Sequence, residues 1–441
     1  MQESHRDAGL IRAIGPWALA AGAIGMIVGA GIFAVPAALA ASVGSYGPLA
    51  FLACGFAVGA VAICFAEGGS RLPTSGGVYG LIESAFGSCV AYVAGTLLWV
   101  ACVLACGGVA AALADVVATV LPAPTRALAQ PATVIGAIGT IALVNVRGVA
   151  RGARLVAATT TLKLVPLVIF VVAGLAAAVQ GHGMPLTTRP DAQDIGRALI
   201  LGMFAFIGME TPLCASGEVR QPNRTIPRAL AIAILTTTAL YVTIQFVAQD
   251  LLGTALASSR APLADAMARV HPALRALMVA GAALSMLGYL GSDILGSPRQ
   301  LFALARDGLL PAALGRLHPR SHAPHIAILV YALIAMVLGL TGTFAELAVL
   351  AALAMAPFYM AGCAAAWVLA RRGIALAGPP LQFRFLGTAA IIGIASMLAL
   401  ILFGSRREIL GLATLITVST AVYVLQSHTS LAGARLTDRH E

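Results

Sequence analysis

Three ionisable side chains stand where a membrane-like chain accommodates them least: Lys163, Glu210 and Asp293 each fall inside a long apolar run. A charge at the centre of a membrane helix costs about 2.5–3.5 kcal/mol on insertion scales, so such residues face a protein interior, a partner or an ion path. Glu210 closes the stretch Gly202-Met203-Phe204-Ala205-Phe206-Ile207-Gly208-Met209-Glu210-Thr211-Pro212. An earlier stretch, 23–36, has the same grammar: Gly29-Ala30-Gly31 in mid-run, then Pro36. Each glycine weakens a helix by about 1 kcal/mol relative to Ala, and a proline removes a hydrogen bond from the ladder. A helix that breaks in a bilayer releases N–H groups at one end and C=O groups at the other. Lipid satisfies neither, so such backbone survives only when it lines a cavity or is buried in protein. The N–H end attracts a carboxylate. The plain alternative is an unbroken span whose glycines let a neighbour approach. A second copy at the corresponding place in the other half of the chain favours the break, and paired interruptions of this kind point to a transport site.

The elements that must position these groups follow from composition. The chain has 441 residues, 60% hydrophobic and 10% charged, with a mean hydropathy of +0.94. This is a polytopic membrane composition with room for about twelve spans and short loops. No separate soluble domain and no cleavable leader is expected. The net charge of +10 does not point to nucleic acid, because the arginines concentrate in alternate loops. The bias toward one side places both termini in the cytoplasm, with Arg406-Arg407 against the trend. The seven cysteines are odd in number and lie in or beside apolar runs. They read as small core residues, not as a disulfide or metal set.

Span 1 falls within 14–41 and span 2 within about 47–66. A short surface helix is expected in 74–86, in a loop on the cytoplasmic side. Spans 3, 4 and 5 cover about 88–120, 133–144 and 155–179, with a basic loop at 145–154. Lys163, the one lysine of the chain, lies about 13 Å into span 5 at 1.5 Å per residue. It faces the interior or snorkels to the cytoplasmic edge. Spans 6, 7 and 8 cover 195–219, 226–247 and 274–304. Spans 9 to 12 cover 326–340, 344–369, 385–403 and 409–425, and a polar tail, 426–441, is expected to fray.

Four stretches resemble the amino acid–polyamine–organocation superfamily of permeases. Val28-Gly29-Ala30-Gly31-Ile32-Phe33 is similar to its span 1 motif. Phe206 to Glu210 together with Glu218 to Arg228 resembles span 6 and the following turn. Pro298 to Pro311 resembles the signature after span 8, and Glu67 to Gly77 the loop between spans 2 and 3. The resemblance implies an all-α fold of about twelve spans in a 5+5 inverted repeat with spans 1 and 6 broken. It implies one transporter domain over 1–425: a first repeat at about 14–180, a second at about 195–370, and accessory helices at 385–425. Spans 11 and 12 are the surface for a possible homo-oligomer.

The same resemblance implies where a substrate sits. Its carboxylate would meet backbone N–H groups at Gly29, Ala30 and Gly31, beside Ile27. Its amino group would meet carbonyls near Phe204, Ala205 and Ile207. Phe204 stands where relatives carrying arginine or agmatine have an aromatic lid, and Ala101, Cys102, Cys106 and Val109 match pocket positions in span 3. Lys163 matches a lysine that substitutes for sodium in sodium-independent members. Lys163 and Glu210 are both candidates to carry a coupling proton. Asp293 departs from the antiporter pattern and either meets a substrate side chain or pairs within the protein. The expected function is a sodium-independent, proton-coupled amino acid permease of the inner or plasma membrane. The alternative is an exchanger that includes cationic amino acids or polyamines, and the remote ones are a channel or a sensor. Neither an enzyme cluster nor a P-loop is seen, and no cofactor or metal is expected.

Overall fold

The computed structural model describes residues 14–72, 76–147, 163–178, 190–306, 308, 310–376 and 380–437. These form helices α1 (Pro16–Ile27), α2 (Gly31–Val43), α3 (Gly47–Arg71), α4 (Gly77–Phe86), α5 (Ser88–Ala118) and α6 (Arg126–Val146). They continue as α7 (Leu164–Ala178), α8 (Ala192–Phe204), α9 (Pro222–Leu252), α10 (Pro262–Ala268), α11 (Pro272–Gly296) and α12 (Pro298–Arg306). The last four are α13 (His325–Thr341), α14 (Phe344–Arg371), α15 (Leu386–Phe403) and α16 (Arg406–Thr437). A 3₁₀ helix, Thr211–Glu218, follows α8. Joining α1 to α2, and α8 to that 3₁₀ helix, accounts for spans 1 to 12. The start of span 5, the loop 148–154 and the N-terminal segment 1–13 lie outside the described residues.

Span 1 is broken. Val28 leaves helical geometry with ψ at 75°, and α2 restarts at Gly31. Pro36 sits inside α2, past the break. Span 6 breaks after Phe204, and Gly208 there has φ of +115°, a region that disfavours any residue with a Cβ. The two breaks touch: a Cβ on Gly208 would stand 3.0 Å from the Met26 carbonyl oxygen. One on Gly31 would stand 3.3 Å from the Ala205 Cα. Span 1 and span 6 also pair beyond the breaks, Ile14 N–H donating to Glu218 O at 3.0 Å and Arg220 N–H to Ile14 O at 2.9 Å.

Around this pair the core is built from small residues. Spans 3 and 9 cross so closely that a Cβ on Gly339 would meet the Gly107 carbonyl oxygen at 3.0 Å. Close approach of this kind supplies the dispersion that holds helices together in lipid. Large apolar side chains on the perimeter, among them Leu128, Val172, Leu333 and Leu402, are exposed, as a lipid-facing surface requires.

Several boundaries differ from the sequence reading. Span 4 starts at Arg126, because Pro131 is accommodated within its first turns. The span 8 ladder stops at Gly296, where Pro298 has no N–H to continue it. Between spans 7 and 8, α10 buries Leu263, Ala266 and Met267 and closes one end of the bundle, an element too short to show a period in sequence. The expected short helix of 74–86 forms as α4 with its Val78, Leu81 and Ile82 face buried. The tail expected to fray continues α16 as helix to Thr437.

The end of α3 is pinned by a buried ion pair, Arg71 to Glu67 at 2.8 Å. Glu67 also accepts from Phe383 N–H at 2.9 Å, and Arg71 O accepts from Leu376 N–H at 2.9 Å. Arg71→Leu strands the Glu67 charge, which costs about 3 kcal/mol. Its melting point in detergent should fall, and Glu67→Gln added to it should recover most of the loss. An unchanged melting point in Arg71→Leu would show that the pair is not structural.

Candidate functional site

The carbonyl end of the span 1 break is supplied by three other helices. Lys163, immediately before α7, donates its Nζ to the Gly25 carbonyl. Tyr241 on α9 places its hydroxyl 2.9 Å from the Ile27 carbonyl and 3.0 Å from that of Ala205. Ser285 on α11 donates to Gly29 O at 3.2 Å. The buried hydroxyls and ammonium therefore do for these carbonyls what water does elsewhere. Lys163 is buried and reaches inward, so it does not snorkel.

The opposite end has no such supply. Phe33 N–H finds Ala30 O at 3.2 Å. Among the described residues the N–H groups of Ala30, Gly31 and Ile32 have no acceptor. They start α2, so its dipole adds positive character at the same point. Tyr289 covers this face, its ring 3.4 Å from a Cβ placed on Gly29. Phe204 lies on the other side, its ring 3.5 Å from a Cβ placed on Gly31 and stacked edge-on against Phe344 with centroids 5.5 Å apart. Phe204 is buried, not lipid-facing.

Two carboxylates flank the break. Glu210 is buried and accepts from Tyr359 Oη on α14 at 2.7 Å and from Gly208 N–H at 3.1 Å. Asp293 accepts from Tyr331 Oη on α13, from Ser297 at 2.8 Å and from the Cys106 thiol. Cys102, one turn before Cys106, bonds Ser297. Tyr289 lies close to Asp293, Cys102, Cys106 and Glu210.

The structure thus brings Gly29, Ala30, Gly31, Phe204, Cys102, Cys106, Glu210 and Asp293 around one place. Ala101 is buried beside Cys102 and Ile207 is half-buried. The carbonyls assigned to an amino group are partly engaged already. Phe204 O accepts Ile207 N–H at 3.2 Å, and Ala205 O accepts Tyr241. Lys163 contacts the break at the Gly25 carbonyl. Sequence reasoning missed Tyr241, Ser285, Tyr289, Tyr331 and Tyr359. The signal was present: a tyrosine or serine inside an apolar span needs a partner.

A model of a family described as amino acid permease matches residues 14–425. The chain belongs to that family. It is an integral membrane transporter of the amino acid–polyamine–organocation type, as its four motifs imply. An uncharacterized transporter of Mycobacterium tuberculosis is 34% identical over 72% of this chain and 71% of its own length. A branched-chain amino acid permease of Bacillus subtilis is 26% identical over 89% of this chain and 88% of its own. A methylthioribose transporter of the same organism is 26% identical over 74% of each. In this permease the hydroxyl of Tyr241 holds both breaks at once. Tyr241→Phe leaves a buried acceptor short and should lower stability by about 1–3 kcal/mol, read as an earlier thermal transition. A transition equal to that of the native protein would mean that the two carbonyls are served otherwise.

Proposed function

We propose that this permease is a sodium-independent, proton-coupled uptake system for neutral amino acids, working by alternating access around the two breaks. The observation that carries the reading is the cluster of free N–H groups at Ala30, Gly31 and Ile32, opposite carbonyls that other helices have already supplied. A substrate carboxylate fits those donors, since they are buried and aligned with a helix dipole. Ala30, Gly31 and Ile32 form the carboxylate end, beside Ile27 and Gly29; the Gly29 N–H, expected to join them, is already taken by the Ile27 carbonyl at 2.7 Å. Phe204, Ala205 and Ile207 border the amino end. Ala101, Cys102, Cys106 and Asp293 face the side chain.

Asp293 has three donors of its own, so it needs no cationic substrate as a counter-charge. This supports neutral side chains, as does the similarity to a branched-chain amino acid permease. Lys163 brings its ammonium to the Gly25 carbonyl, and its match to the lysine of sodium-independent members supports independence from sodium. Lys163 and Glu210 are the coupling groups: each is buried, titratable and hydrogen-bonded to a break. Both termini are on the cytoplasmic side, as the arginine bias supports.

Uptake of labelled leucine, alanine and arginine into proteoliposomes tests this. Leucine or alanine should accumulate under an inward proton gradient, with no sodium requirement. Uptake confined to vesicles preloaded with amino acid would replace symport by exchange. Lys163→Ala should reduce gradient-driven uptake at least about tenfold, the loss of roughly 1.4 kcal/mol, while the protein stays monodisperse. Native rates in that variant would remove Lys163 from coupling. Gly29→Leu pushes a side chain against Tyr289 and should abolish substrate-induced thermal stabilisation. Undiminished stabilisation would place the carboxylate elsewhere.

A further inference from the structure

Among the described residues a large concavity lies away from the breaks, and none of its lining residues belongs to them. It is a groove of about 1100 Å³ on the outer face of spans 2, 7 and 11, lined by α3, α9, α15 and the segment before α15. Its walls are almost wholly apolar. Leu52, Phe56, Leu235 and Phe385 project at its rim and are exposed. Gly59 on its floor has open space above it: a Cβ there would meet nothing within 4 Å.

One end of the groove carries charge. Pro227 and Phe383 line that end. Arg224 and Arg228 extend the lining face of α9 past Pro227, at the i, i+3 and i+7 spacing that reaches Ala231 and Leu235. Arg384 stands between Phe383 and Phe385, its guanidinium 5.5 Å from the Phe385 ring centre. All three arginines are exposed, and among the described residues none has an acidic partner within ion-pair distance.

We propose that this groove binds an anionic phospholipid of the adjacent leaflet, with an acyl chain between α3, α9 and α15 and the phosphate among Arg224, Arg228 and Arg384. The occupant follows from the two chemistries in sequence: a long apolar trough, then a group of exposed cations toward one end. A second copy of this chain fits less well. In a two-fold interface the same patch meets itself, and the three arginines would face three more.

Purified protein in detergent, supplemented with phosphatidylglycerol or with phosphatidylcholine of identical chains, tests the site. Thermal midpoint and lipid retained in native mass spectrometry are both read. The native protein should be stabilised more by phosphatidylglycerol and should retain it preferentially. Each arginine near the surface contributes about 1 kcal/mol to anionic lipid binding, close to fivefold. Arg224→Gln, Arg228→Gln and Arg384→Gln together should therefore erase the preference for phosphatidylglycerol. Gly59→Leu projects into the open floor, where its Cβ meets nothing within 4 Å, so it should keep the lipid-free midpoint and lose retention of both lipids. Equal stabilisation of the native protein by the two lipids overturns the proposal, as does a preference that survives the triple substitution. Mass doubling with protein concentration that Gly59→Leu abolishes, without lipid retention in the native protein, would assign the groove to a second copy and equally overturn it.

Discussion

A main-chain carbonyl released inside a membrane must find a donor from the protein, because the bilayer core contains none. That requirement fixes the middle of this molecule. The break in span 1 frees the carbonyls of Gly25, Ile27 and Gly29, and each takes a donor from a different helix: Lys163, Tyr241 and Ser285. Spans 5, 7 and 8 are thereby tied to span 1 by hydrogen bonds, and loss of those to Gly25 and Gly29 would leave a buried carbonyl stranded. The freed N–H groups at the start of α2 are treated oppositely. Nothing in the described protein satisfies them. The two ends of the break therefore differ: one is satisfied by the protein and the other is not.

Packing reinforces the asymmetry. Gly31 against Ala205 and Gly208 against Met26 let the two interrupted spans meet backbone to backbone. Gly107 and Gly339 do the same for spans 3 and 9 farther out. Bulk is reserved for the face of the break, where Tyr289 and Phe204 lie over Gly29 and Gly31. Those two rings therefore cover the free N–H groups in this conformation.

Much of this was readable from the chain. Gly29-Ala30-Gly31 and Gly208 with Pro212 announced both interruptions, because glycine and proline act through the local backbone and need no tertiary context. Lys163 announced an inward contact, because a lone ammonium in an apolar run has few alternatives. The partners were not readable. Tyr241, Tyr359 and Tyr331 sit in spans remote in sequence, and only the fold shows which carbonyl or carboxylate each hydroxyl reaches. Asp293 illustrates the limit: its isolation in span 8 was visible, but its three donors come from spans 3, 8 and 9. The short α10 and the early start of span 4 were hidden for another reason. Both depend on packing at the bundle ends, where hydropathy changes little.

Tyr241 has one further property. A phenol owns a single proton, yet its oxygen stands at bonding distance from two acceptors, Ile27 O and Ala205 O. The proton is shared, or it alternates. If either half-helix tilts outward, its carbonyl surrenders its share and the other bond strengthens in compensation. The two carbonyls are unequal in this respect: Ile27 O has a second donor in the Gly29 N–H at 2.7 Å, whereas Ala205 O relies on the phenol.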